Sequence, residues 1–80
     1  MEKIYITTKA RIVSARGVGE SDKGNKYEYY DIRTNGYNAR VFVDEGQIFN
    51  KGDIIDIIIT VSENEEQGGI RFNCKIKENV

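Results

Sequence analysis

Histidine and proline are both missing from this chain, cysteine and methionine occur once each, and tryptophan does not occur. Without histidine the usual general base near neutral pH and the commonest metal ligand are gone. A single cysteine, Cys74, excludes an internal disulfide and any CxxC zinc or redox site. No run approaches the roughly 18 apolar residues of a membrane helix, and no apolar signal segment follows Met1, so the expected location is the reducing cytoplasm. Leucine is absent too, while isoleucine occurs twelve times and valine six. β-Branched side chains lose rotamer freedom in helices and pack well on pleated sheets, so this composition favours strands. Eight glycines supply the bends. At 80 residues the chain is expected to be one domain, 1–80, with a thin core.

Five extended segments are predicted, separated by turn signals. The first is KIYITTKARIVSAR, residues 3–16, whose alternation slips partway as in a strand that bends or bulges. A glycine-rich polar stretch follows, and residues 15–28 are expected to form a flexible basic wing loop. KYEYYDIR (26–33) and YNARVFV (37–43) flank Asn35-Gly36, the strongest short hairpin signal. Residues 44–53 are too few for more than one helical turn, and Ile48 with Phe49 is expected to plug the core there. DIIDIIITVS (53–62) and IRFNCKIK (70–77) complete the set, with Ile70, Phe72, Cys74 and Ile76 expected inward. This order is that of an all-β, five-stranded Greek-key barrel of the OB type, its third connection lacking a full helix; an SH3-like barrel is the structural competitor.

Catalysis finds little support. Asp44 with Glu45, and Asp53 with Asp56, fall on opposite faces of extended chain, so neither pair is set up for acid–base work. Cys74 reads as a small inward hydrophobe. The expectation is a non-enzyme without cofactor, metal or small-molecule substrate.

The formal net charge of −1 hides an asymmetry. Residues 1–40 carry eight Lys or Arg against five acids, a balance of +3, and residues 41–80 carry four against eight, a balance of −4. The basic half also holds all five tyrosines, and four of them lie in residues 15–40, interleaved with Arg16, Lys23, Lys26, Arg33 and Arg40. Aromatic rings that stack on unpaired bases, with cations along the phosphates, are how single-stranded nucleic acid is held. Ile32 marks the inner side of its strand, so Tyr30 is expected to be buried and Tyr27 with Tyr29 exposed. Tyr37, Ala39, Val41 and Val43 share the expected core face of the next strand. Arg40 and Phe42 take the other face, where Phe42 either extends the platform or packs under the first strand. Arg71 and Lys75 are further, weaker candidates, with Arg33, for phosphate contact.

GVGESDKGNKYEYYD, then NGY, then VFVDEGQ, resembles in order and content the small single-stranded DNA-binding proteins of filamentous phages, the gene V type. The resemblance covers about residues 14–77. It implies an OB-fold homodimer that coats single-stranded DNA with little sequence preference, in the replication of a phage or mobile element. On the matching positions it implies that Arg16 and Lys23 are wing cations, that Tyr27 stacks on bases, and that Tyr29 is an apolar contact. Where the family carries an aromatic between its last two strands, this chain has Gln67-Gly68-Gly69. RNA binding on the same platform, and a protein-interaction role for exposed Ile54 and Ile58, are the alternatives.

Overall fold

The structure, a computed structural model, describes residues 3–77; of the expected domain 1–80, residues 1–2 and 78–80 lie outside it. It is all-β. Six strands are present among the described residues: β1 (Ile4–Ile12), β2 (Gly17–Glu20), β3 (Lys26–Thr34), β4 (Tyr37–Val43), β5 (Ile54–Glu63) and β6 (Ile70–Ile76). Every ladder is antiparallel. The hydrogen-bonded order is β2-β3-β1-β5-β6, with β4 on the other side of β3. β4 and β6 approach one another without a ladder between them, so the sheet curls but does not close. No helix among the described residues is long and apolar enough to cross a membrane.

The extra strand arises inside the expected wing loop. The slip in alternation near residue 13 is a break: β1 stops at Ile12, and the chain resumes as β2 after residues 13–16. Gly17–Glu20 then pairs with Lys26–Tyr29. A tight turn at Ser21–Asn25 joins them, closed by Ser21 N–H to the Asn25 carbonyl at 2.8 Å and Gly24 N–H to the Ser21 carbonyl at 2.9 Å. The wing is therefore a β-ribbon, built from glycines that carry little strand propensity of their own. The second hairpin follows expectation. Asn35 and Gly36 both have positive φ, 50° and 82°, and join the directly opposed Thr34 and Tyr37.

The core is small and comes from alternate residues of four strands. Ala10, Ile12, Tyr30, Ile32, Val41, Ile55 and Ile57 are buried, with Ala39, Val43, Phe49, Ile59, Cys74 and Ile76 packed against them. Cys74 is half-buried, and desolvation raises its thiol pKa. Four inward expectations are corrected. Tyr37, at the hairpin tip, is 76% exposed because its strand has run beyond the core. Ile48 is exposed, and Phe49 alone fills the plug position, edge-on to Tyr30 with ring centroids 5.6 Å apart. Ile70 and Phe72 lie on the core side of β6 but are 65% and 67% exposed, since β1, β5 and β6 continue past the last residue that could cover them.

Candidate nucleic-acid interface

Alternation along β3 sorts its side chains into two rows. Glu28, Tyr30 and Ile32 face the core side, opposite Val43, Val41 and Ala39 of β4. Tyr27, Tyr29, Asp31 and Arg33 form the outer row. Phe42 lies directly across from Tyr29, and Arg40 across from Asp31. The outer row thus gathers Tyr27, Tyr29, Phe42 and Arg40 on one surface. Tyr27 and Phe42 meet edge to face with centroids 5.6 Å apart, Tyr29 and Phe42 at 6.5 Å, and Tyr27 and Tyr29 at 6.1 Å. No two of these rings are stacked flat against each other. Tyr27 and Phe42 are 38% and 60% exposed.

Glycines seat the tyrosines. Gly17 stands opposite Tyr29, and Gly19 opposite Tyr27. A Cβ at either glycine would fall 2.4 Å from ring carbons of its partner. Each ring therefore occupies the space a side chain would fill on β2. Arg40 completes the group. Its guanidinium carbon sits 3.9 Å from the Tyr29 ring centroid, while Nε donates to Asp31 Oδ1 at 3.0 Å. That hydrogen bond holds the Arg40 pKa above its ordinary value. Only Nε is used in it. The terminal nitrogens of the fork make no hydrogen bond among the described residues, and the plane stacked on Tyr29 offers an outer face of its own.

Arg16 is placed elsewhere. It reaches the core side of β3, where Nε and Nη2 donate to the two Glu28 carboxylate oxygens at 3.1 and 2.9 Å. Nη1 donates to Tyr30 Oη at 3.2 Å and to the Gln47 carbonyl at 2.6 Å, and Nη2 donates to the Asp44 carbonyl at 2.8 Å. The Glu28 bond holds the Arg16 guanidinium well above its ordinary pKa and holds the Glu28 carboxyl below its own. Burial resists ionisation of the Tyr30 phenol, but the Phe49 N–H (3.0 Å) and Arg16 together outweigh it and draw its pKa down. Arg16 is the clamp that binds the 44–49 connection to β3, with its donors consumed by protein acceptors.

The remaining candidates divide. Lys26 opposes Glu20 on the core-side row, and Lys23 projects from the ribbon's turn. Lys75 and Phe42 line a groove between β4 and β6, so Lys75 borders the aromatic surface. Arg71 sits opposite Ser62 near the far end of β6, away from it. Arg33 is exposed on the outer row, directly opposite Arg11 of β1. Nothing in the spacing of the sequence singled out Arg11; only strand register brings it there. Among the described residues no group of three His, Cys, Asp or Glu side chains is placed to hold a metal ion. Comparison with family models, with curated proteins and with solved structures returned no match to this chain.

Proposed function

We propose that this protein is a non-enzymatic single-stranded DNA-binding protein of the OB-barrel type, acting on DNA with little sequence preference during replication of a phage or mobile element. One observation carries the reading: Tyr27 and Tyr29, each seated by a glycine, share an outer face with Phe42 and with an arginine that lies over the Tyr29 ring. Unsupported aromatics on a soluble surface are costly to display, and bases are the ligand whose flat faces match them. In this reading Tyr27 and Phe42 take bases on their exposed rings. Tyr29 supports Arg40, whose guanidinium stacks on a third base or meets a phosphate. Lys23 and Lys75 stand at the two borders as further phosphate contacts. The strand order supports the barrel assignment, since a ladder between β4 and β6 is all that separates the curled sheet from closure. The gene V-type strings point to the same ligand.

The reading includes a second copy of the chain. On the core side, β1, β5 and β6 extend past the packed residues and leave Ile4, Ile6, Ile70 and Phe72 bare, at 59%, 46%, 65% and 67% exposure. Their registers place them around Ile59 and Val61 as one apolar sheet face. Four such side chains offer roughly 500 Å², so two copies face to face would cover about 1,000 Å², the floor for a specific interface. A two-fold axis presents the same face to itself, which makes an identical chain the natural cover.

Titration with oligothymidine tests the DNA reading. With no tryptophan, the intrinsic emission is tyrosine emission, and stacking on Tyr27 should quench it to saturation. Tyr27→Ala should weaken binding by about 1–3 kcal/mol. Absence of binding at low salt overturns the proposal, and tighter binding of oligouridine reassigns the ligand to RNA.

A further inference from the structure

From the register of β1 on β3 we infer a second phosphate site, formed by Arg11 and Arg33, that holds the nucleic-acid backbone beyond the stacked bases. This rests on the DNA-binding reading above and extends its footprint. The two arginines are direct cross-strand partners, and both are exposed. Side chains so placed have Cβ atoms about 4.5–5.5 Å apart, and like charges in that position destabilise the ladder. The strands do not slip to relieve them. The next register pair is Ile12 with Ile32, both completely buried, so the core pins the arginines together.

Nor do neighbouring acids neutralise them. Asp31 is held by Arg40 at 3.0 Å and Asp56 by Lys9 at 2.9 Å, while no carboxylate pairs with Arg11 or Arg33 among the described residues. Two guanidinium forks forced side by side, without a counter-charge, match a bridging phosphodiester: each fork donates to a separate non-bridging oxygen, and the anion turns their repulsion into attraction.

Placement gives the pair its function. Arg33 belongs to the same outer row as Tyr27 and Tyr29 and lies four positions beyond Tyr29, about 13 Å along the strand. A chain with bases on Tyr27 and Phe42 and a phosphate near Arg40 continues down this row onto Arg33 and Arg11. Asp31 does not block the path, since Arg40 has already neutralised it. The site thereby spans several nucleotides, as sequence-independent OB-type grooves do.

The test is the salt dependence of binding to a 16-residue oligothymidine by wild type and by the Arg11→Gln/Arg33→Gln double variant. Each lost phosphate contact should flatten the slope of log K against log salt by about 0.7 for a single strand. Because both arginines hold one phosphodiester, wild type should lose about 2.6-fold more affinity than the double variant between 50 and 200 mM salt. The variant's Tm should equal or exceed that of wild type, because a repulsive pair has been removed. Equal slopes in two proteins that both bind would overturn the Arg11–Arg33 site and leave the aromatic platform standing. A Tm several degrees below wild type would also overturn it, by showing the pair to be structural. Failure of wild type to bind oligothymidine would remove the platform and this site together.

Discussion

The Tyr27 ring lies across Gly19 of the facing strand, so closely that a Cβ at position 19 would stand 2.4 Å from Tyr27 Cζ. Glycine is required there by the ring, not by the backbone, since Gly19 is not among the positive-φ glycines. Gly19→Ala therefore separates platform geometry from folding. The new methyl meets the far end of a side chain that can swing away, and alanine recovers about 0.5–1 kcal/mol of the backbone entropy that glycine costs in a strand. The variant should keep a Tm within a few degrees of wild type. With Tyr27 lifted from its seat, oligothymidine affinity should drop three- to tenfold. Unchanged affinity would show that the seated ring is not the one that meets bases.

Arg40 offers a test of stacking against charge. Its guanidinium covers Tyr29 at 3.9 Å and is held to Asp31 at 3.0 Å. Arg40→Lys keeps the positive charge but loses the planar stack, whereas Arg40→Gln loses both. Lysine should weaken oligothymidine binding by about 1 kcal/mol with the salt slope unaltered. Glutamine should in addition flatten that slope by about 0.7. Identical slopes and affinities for the two variants would mean that Arg40 serves only to support Tyr29.

The Arg16–Glu28 fork makes stability depend on pH in a definite direction. Arg16 holds the Glu28 carboxyl below its ordinary value near 4.3, and Lys9 lowers Asp56 in the same way. A group whose pKa is depressed by folding contributes stability above its unfolded value and loses that contribution as pH falls through the folded one. Tm should therefore be flat through neutrality and fall below about pH 4.3. Glu28→Gln should lower Tm at pH 7 and reduce the acid-side decline, so that the two curves converge as pH falls. Parallel curves for variant and wild type would show that the fork does not couple to folding.

These relationships were unequally legible in the amino-acid sequence. Tyr30 inside with Tyr27 and Tyr29 on the outer face followed from Ile32 and a period of two, because parity along one strand is a local property. The expected exposure holds for Tyr27 but not for Tyr29, which is half-buried with Arg40 over its ring. Phe42 stayed open until register set it opposite Tyr29. Arg16 looked like a wing cation because its partners, Glu28 and the Asp44 and Gln47 carbonyls, come from segments far away in the chain. The β2 strand was hidden in glycines whose role is to accept rings. Arg11 met Arg33 through register alone. For Ile70 and Phe72 the face was readable, but parity cannot say whether another layer lies over that face.

That uncovered layer yields the last prediction. Phe72 lies directly opposite Val61, beside the column Ile4, Ile6 and Ile59, and is the largest side chain left bare on that face. In a two-fold assembly it would be the central anchor, and truncating or charging such an anchor typically costs 2 kcal/mol or more of association energy. Phe72→Lys should therefore raise the dimer dissociation constant at least thirtyfold, read by analytical ultracentrifugation across a concentration series. Its fold should survive, because Phe72 is already two-thirds exposed and contributes little to the monomer core. The aromatic platform lies on the opposite side of the sheet, so a four-residue oligothymidine should bind wild type and variant equally. A longer oligonucleotide spanning both copies should lose affinity in the variant, since linked sites raise the effective concentration of the second contact. Wild type sedimenting as a monomer at high concentration would leave this face to some other cover and remove the second copy from the proposed function.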